Sequence, residues 1–130
     1  MWVGYSYFIT MLESQINVFY DPNHKDLQDC PAGCNMYTGE IVINPVLWAA
    51  LTPFQKRFTL LHEVGHIMLQ THIEDEADAY AFDRLAGTEF QSLKQALLCL
   101  DTLLVLDVPS TRKRKQLLYQ RALNWDREHQ

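Results

Sequence analysis

The stretch His62-Glu63-Val64-Gly65-His66 carries the side chains best suited to chemistry in this 130-residue chain. Two histidines four residues apart lie on one face of an α-helix, about one turn from each other. Their imidazoles can then bind one zinc ion, while the glutamate between them faces water on the metal as a general base. The pattern predicts His62 and His66 as metal ligands and Glu63 as the catalytic carboxylate.

A helix must carry these side chains, and the flanking sequence predicts one over residues 53–70. Thr52 at the N-cap, Pro53 at the first helical position and Gln55 three residues after the cap form a capping box. Apolar residues then recur at helical spacing. Gly65 is unfavourable inside a helix, which indicates a close approach by another backbone at this point.

A second helix is predicted to supply a third ligand, because a catalytic zinc ion keeps three protein ligands and one open position. Over residues 73–82, Glu74 and Asp78 share one helix face, and the small residues Ala77 and Ala81 permit close packing on the first helix. We expect Glu74 to bind the metal and Asp78 to hydrogen-bond the second nitrogen of a ligand histidine. The other candidates for the third ligand are Glu76, Asp78 and His72.

With these two motifs the chain resembles the ImmA/IrrE-type metallopeptidases, gluzincins that combine H-E-x-x-H with a downstream E-x-x-A-D/N helix. The resemblance covers residues 14–86 and includes a strand before the active-site helix, at residues 39–45. Minigluzincins and the catalytic domains of HtpX-type proteases look similar through the same motifs. The resemblance implies an α+β, zincin-like fold, with a small, mostly antiparallel sheet packed on a helical bundle. It also implies a zinc-dependent endopeptidase with a protein or peptide substrate, such as a regulatory protein.

Two departures from the family pattern define an alternative function. The segment between His66 and Glu74 is shorter than is usual in these families, and no residue is assigned to stabilising the tetrahedral intermediate. The alternative is a zinc-binding interaction protein on the same fold, catalytically inactive or latent. A metal-free scaffold or binder is a third hypothesis.

Length and composition predict a single domain over residues 1–130. The hydrophobic content of 48% excludes a disordered chain, and no repeat or low-complexity run divides the sequence. The first residues show no basic segment or cleavage site typical of a signal peptide, and no apolar stretch reaches the length of a membrane span. We therefore expect a cytoplasmic protein without a membrane partner; the sequence does not determine its oligomeric state.

The remaining elements are predicted from local pattern. Residues 35–37 are expected to pair with the strand Glu40–Ile43 across a two-residue turn at Thr38 and Gly39. Glu40–Ile43 is the expected sheet edge, to which an extended substrate would add. Further elements are predicted as a helix at 5–15, a strand at 16–20 and helices at 74–86, 89–106 and 111–126.

The cysteines do not form a disulfide scaffold. Cys30 and Cys34 lie in a loop-like segment, and Cys99 lies in an apolar helix. The C-x-x-x-C spacing of Cys30 and Cys34 would allow a second metal or an intramolecular disulfide, but no further Cys/His pair completes a four-ligand structural site. Cys30 and Cys34 are therefore predicted to be free thiols, and Cys99 a small core residue.

The last predicted helix opens with a basic run, Arg112-Lys113-Arg114-Lys115, which opposes the helix dipole. The run is either a solvated face or a docking surface for an acidic partner or nucleic acid. A net charge of −5 and the lack of a recognition motif argue against nucleic acid. The apolar residues of this helix require burial, so we expect it to build a wall of the active-site groove or to cover its opening.

Overall fold

The computed structural model describes residues 16–86, residue 97 and residues 109–129. The helices predicted at 5–15 and 89–106, with Cys99, lie outside these residues except for residue 97. The described elements are three strands and four helices: β1 (Asn17–Tyr20), β2 (Ala32–Asn35), β3 (Glu40–Ile43), α1 (Pro45–Trp48), α2 (Pro53–Leu69), α3 (Glu74–Leu85) and α4 (Pro109–Glu128). The predicted α+β class is confirmed.

The sheet is mixed, with strand order β1-β3-β2. β1 pairs with β3 in parallel, and β2 pairs with β3 antiparallel. The prediction of a mostly antiparallel sheet is therefore wrong, and so is the prediction that Glu40–Ile43 is an open edge, because β3 is the central strand. A local sequence pattern can indicate the β2–β3 hairpin, but the parallel pairing with β1 joins segments far apart in the chain.

The β2–β3 turn differs from the predicted two-residue turn because the Asn35 side chain closes it early. Asn35 Oδ1 accepts hydrogen bonds from the backbone N–H of Tyr37 at 2.9 Å and of Thr38 at 3.2 Å. Gly39 then adopts a positive φ of 77°, a conformation favourable for glycine. Residues 36 and 37 therefore belong to the turn, and β2 occupies residues 32–35, which were predicted to be irregular up to Cys34.

Side-chain caps define where the helices after β3 begin. Asn44 caps the short α1, which the sequence analysis did not predict, by accepting from the N–H groups of Val46 and Leu47. At the start of α2 the predicted capping box is confirmed: Gln55 Oε1 accepts from Thr52 N at 2.8 Å, and Thr52 Oγ1 accepts from Gln55 N at 3.2 Å.

Helix α2 lies between two hydrophobic clusters and joins them. On one side it packs on the sheet, and on the other it packs on α3 and α4. The sheet-side cluster contains Ala32, Ile41, Ile43 and Ile67. The helix-side cluster contains Phe58, Ala81, Phe82, Leu85, Leu118 and Ala122.

The contact between α2 and α3 is close at Gly65. A Cβ added to Gly65 would lie 3.0 Å from Tyr80 Cβ. The close neighbour is thus the base of a side chain rather than the backbone expected from the sequence. Ala77 and Ala81 are fully buried, as their proposed role in close helix packing requires.

Helix α4 begins at Pro109, two residues earlier than predicted, and continues to Glu128. Its buried residues Leu118 and Ala122 pack in the helix-side cluster. Among the described residues, no helix combines the length and apolar character needed to cross a membrane.

Candidate metal centre

The two histidines of α2 are buried and face each other. The capping box fixes the start of the helix, and the four-residue spacing places both imidazoles on the side next to α3. His62 Nε2 and His66 Nε2 lie 3.1 Å apart.

Glu74, the first residue of α3, completes a group of three ligand atoms. Its Oε1 lies 2.7 Å from His66 Nε2, and its Oε2 lies 3.4 Å from His62 Nε2. All three ligand atoms lie within 4.8 Å of one another, as a metal ion requires. The structure thus brings together the three residues that were predicted as metal ligands.

The spacing of these atoms fits a tetrahedral metal ion. With metal–ligand bonds of about 2.0–2.1 Å, the ligand atoms of a tetrahedral site lie about 3.3 Å apart. The observed separations of 3.1 Å between the ring nitrogens and 3.4 Å from Glu74 Oε2 to His62 are close to this value. The separation of 2.7 Å to His66 requires only a small movement of the carboxylate.

Hydrogen bonds at the other ring nitrogens leave the facing nitrogens as acceptors. His66 Nδ1 lies 2.7 Å from the Thr71 carbonyl oxygen, and His62 Nδ1 lies 2.7 Å from Asp78 Oδ1. Both oxygens are acceptors, so each Nδ1 carries a proton, and whenever a ring is neutral its lone pair lies at Nε2. Two nitrogen lone pairs and the Glu74 carboxylate then converge on one point, where only a cation satisfies all three.

The close approach of these groups shifts the pKa values of His62 and Glu74 in opposite directions. Burial lowers the pKa of His62, but hydrogen bonds to Asp78 and Glu74 outweigh burial and raise it to about 9. Burial alone would raise the pKa of Glu74, yet hydrogen bonds from His62 and His66 hold it well below the usual value for a carboxyl group. In the metal-free protein a proton on an imidazole therefore supplies the positive charge that a metal would supply.

Asp78 occupies the supporting position expected from the sequence. It is 2% exposed, and its Oδ1 lies 2.7 Å from His62 Nδ1. Burial raises the pKa of Asp78, but hydrogen bonds from Arg114 and His62 lower it overall. The carboxylate stays ionised and fixes the tautomer and orientation of the ring.

The other candidates for the third ligand point elsewhere. Glu76 Oε1 accepts from the Thr71 hydroxyl at 2.6 Å. Asp78 contacts the Nδ1 side of His62, away from the convergence point. His72 is exposed and does not belong to the group of converging ligand atoms. Of the four candidates, only Glu74 joins both histidines.

Glu63 lies at the foot of an open cleft of about 660 Å³, which His66, Glu74 and the strand β2 also line. Burial raises the pKa of the Glu63 carboxyl, although the neighbouring histidines oppose this effect. Cys34 of β2 lines the same cleft, and the charge of Glu63 acts on its thiol. Burial, followed by the charge of Glu63, raises the pKa of Cys34 to about 12. Glu63 is therefore positioned toward the cleft, as a general base requires.

Within residues 16–86 and 109–129, no strand pairs with the outer edge of β2, and residues of β2 line the cleft. The Pro31 carbonyl accepts from Asn44 N at 2.9 Å, and the pairs Gly33–Val42 and Asn35–Glu40 follow at intervals of two. Because antiparallel strands alternate between bonded and non-bonded pairs, the backbone groups of Ala32 and Cys34 face away from β3.

Sequence reasoning missed the roles of Thr71, Cys34 and Arg114 at this site. No sequence pattern marks the Thr71 carbonyl, which is presented to His66 by the turn after α2, where Gln70 has a φ of 51°. The sequence did indicate a special role for Arg114, because the basic run that contains it opposes the dipole of the predicted helix. Its guanidinium contacts Asp78 and Glu74.

The expected roles of two other segments are revised. None of residues 109–129 lines the cleft; α4 packs on α3 and reaches Glu74 through Arg114. The effect of removing α4 on folding or activity stays a prediction. Cys30 and Cys34 are free thiols, as predicted, although Cys34 lies in a strand rather than a loop.

No protein-family model, no curated protein and no solved structure matches the chain. Its function is therefore inferred from the geometry of its own residues.

Proposed function

We propose that this protein is a zinc-dependent metallo-endopeptidase of the gluzincin type, on a zincin-like fold. The observation that carries the proposal is the convergence of His62 Nε2, His66 Nε2 and the Glu74 carboxylate beside the buried Glu63. A resemblance to the ImmA/IrrE-type motifs over the same residues supports it.

The donor set favours zinc over calcium and magnesium. Two imidazoles and one carboxylate are the ligands of many catalytic zinc sites, whereas calcium and magnesium prefer sites made of oxygen ligands. Three protein ligands also leave an open position for reactants. When bound, zinc supplies Lewis-acid polarisation of water and of the substrate carbonyl.

Glu63 is the proposed general base. It lies between the two histidines in sequence but is not one of the three converging ligands. Burial raises the pKa of its carboxyl, which brings its proton affinity closer to that needed at neutral pH. The carboxylate takes a proton from the water that attacks the peptide carbonyl and passes this proton to the leaving amine.

The free edge of β2 is the proposed binding site for an extended protein or peptide substrate. The outward backbone groups of Ala32 and Cys34 can pair with a substrate strand in the manner of β-augmentation. This assignment replaces β3, the strand expected from the sequence, because β3 is already paired on both sides. A peptide along β2 lies next to Glu63 and Glu74, which line the same cleft.

The test of this function is the variant Glu63→Gln in the zinc-loaded protein. We expect it to bind zinc as the wild type does and to lose cleavage of an unfolded protein substrate, because Gln cannot accept the proton. Fragments are followed by mass spectrometry, with His66→Ala as the zinc-deficient control. Cleavage by Glu63→Gln at the wild-type rate would refute the assignment of the base.

One observation favours a second candidate, a zinc-binding interaction protein that is inactive or latent. Cys34 lines the cleft together with Glu63, and the charge of that carboxylate helps to raise the pKa of the thiol, so a thiol neighbours the proposed base before any substrate arrives. Cys34→Ala separates the two functions. A latent enzyme gains cleavage in this variant, an active enzyme keeps cleavage, and a purely binding protein cleaves in neither form while retaining zinc.

A further inference from the structure

One guanidinium on α4 contacts both carboxylates of the candidate metal centre. Arg114 Nε donates to Asp78 Oδ2 at 2.8 Å, and Nη2 donates to Asp78 Oδ1 at 2.9 Å. The third nitrogen, Nη1, lies 3.2 Å from Glu74 Oε2. All three nitrogens of the Arg114 side chain therefore face the two acidic residues that act on the metal site.

These contacts are placed where they constrain the ligands. Asp78 Oδ1 receives both Arg114 Nη2 and His62 Nδ1, so the guanidinium fixes the carboxylate that orients the imidazole. The Glu74 side chain is half exposed, and Arg114 contacts its Oε2 while Oε1 contacts His66. A carboxylate held at one oxygen has less freedom to rotate away from the metal.

The stability of α4 itself does not explain a basic residue at this position. The helix dipole favours cations in the last turn, whereas Arg114 is the sixth residue of α4. Arg114 is also only 16% exposed, so it does not form a solvated face. Its neighbour Lys113 pairs with Asp75 at 3.3 Å but is mostly exposed, where such a pair contributes little.

We propose that Arg114 is a positioning residue of the metal centre, which holds Asp78 behind His62 and restrains Glu74 in its ligating orientation. This inference rests on the proposed metal site. It makes α4 part of the site, although no residue of α4 lines the cleft. Metal affinity then depends on the planar, three-nitrogen fork of arginine and not only on its charge.

A second arginine of α4 distinguishes a role in positioning the metal ligands from a role in holding α4 against α3. Arg121, seven residues further along the same helix, contacts Asp83 of α3 at 3.2 Å. It also joins α4 to α3, but no metal ligand is involved. Arg121→Lys therefore tests helix docking alone.

The experiment measures zinc affinity of the full-length protein by competition with a chromogenic chelator. Arg114→Lys keeps the charge next to Asp78 but cannot reproduce the fork, so we expect roughly 10-fold weaker zinc binding. Arg121→Lys should change the affinity by less than about twofold. The visible spectrum of the cobalt-loaded protein reports ligand geometry and should shift in Arg114→Lys only.

A double variant tests whether Arg114 acts through Asp78. In the Asp78→Asn background the further substitution Arg114→Lys should weaken zinc binding much less than it does in the wild type. Wild-type affinity in Arg114→Lys, or an equal loss in Arg121→Lys, would overturn the inference while leaving the proposed function intact. A wild-type protein that binds no zinc would overturn both.

Discussion

At the level of single residues, the metal centre depends on which nitrogen of each imidazole carries the proton. Asp78 Oδ1 lies 2.7 Å from His62 Nδ1, and the Thr71 carbonyl oxygen lies 2.7 Å from His66 Nδ1, so the Nε2 atoms of both rings are directed at one point. Neither acceptor is adjacent in sequence to the histidine that it orients. The ligands themselves follow from the H-E-x-x-H spacing, whereas Thr71 and Arg114 depend on how the turn after α2 and the helix α4 are placed in three dimensions.

Glu74 and Glu76 provide a direct comparison of two neighbouring carboxylates. We expect Glu74→Ala to weaken zinc binding by more than about 100-fold, beyond the range typical of outer-sphere changes, because it removes a ligand. Glu76→Ala removes only a partner of the Thr71 hydroxyl and should weaken binding less than about 10-fold. Zinc affinities from chelator competition check both values; equal affinity for Glu74→Ala and the wild type would contradict the ligand set.

The stability of the metal-free protein should fall as the pH rises through the pKa of His62. Hydrogen bonds raise this pKa from 6.5 to about 9 in the folded state. The protonated ring therefore stabilises the fold fully below pH 6.5, and this stabilisation, about 3 kcal/mol, is lost as the pH rises through 9. Urea unfolding in the presence of a chelator between pH 6 and 10 measures the effect.

The zinc-loaded protein is the control for this pH dependence. Its His62 is a neutral ligand, so the loss between pH 6.5 and 9 should be absent, and zinc affinity should rise over the same interval because fewer protons compete with the metal. If the stability of the metal-free protein stayed constant between pH 6.5 and 9, this result would count against a protonated His62.

At the level of elements, the strands β1 and β3 and the helices α2 and α3 could be predicted from the sequence, whereas the short α1 and the pairing order of the sheet could not. Thr52, Pro53 and Gln55 determine the start of α2 through contacts within four residues. The order of the strands depends instead on the parallel pairing of β1 with β3, which no local pattern encodes. The same limit explains the error at the hairpin, where the Asn35 side chain set the length of the turn.

Gly65 is the point where the α2–α3 contact is most sensitive to substitution. Alanine would place a Cβ 3.0 Å from Tyr80 Cβ and 3.2 Å from its ring. Overpacking of this kind costs about 1–3 kcal/mol, and the better helix propensity of alanine offsets about 1 kcal/mol. We expect Gly65→Ala to lower the free energy of unfolding by about 1 kcal/mol and to weaken zinc binding, because His62 and Glu74 lie on the two helices that are forced apart.

Chemical denaturation of the metal-free protein checks the effect of Gly65→Ala on stability. The same substitution in a Tyr80→Ala background should cost less, because the ring atoms near the new Cβ are then absent. A Gly65→Ala variant more stable than the wild type would show that the helices separate without strain.

At the level of the whole molecule, the candidate ligands connect α2 to the helices that pack on one side of it. His62 and His66 belong to α2, Glu74 begins α3, and the Asp78–Arg114 contact continues the connection to α4. A bound metal ion therefore links α2 to the acidic first turn of α3. Zinc that binds only the folded state adds to the free energy of unfolding by mass action.

Removing the metal should consequently destabilise the entire described fold rather than the cleft alone. With free zinc at 1,000 times its dissociation constant, the folded state gains about 4 kcal/mol, which a chelator removes. Thermal unfolding with and without chelator measures this difference. Glu63→Gln should show the full zinc-dependent shift, because Glu63 is not a ligand, whereas His66→Ala should show almost none. If His66→Ala kept the full shift, zinc would be stabilising the protein from another site. The assignment of the metal centre to the start of α3 would then be wrong.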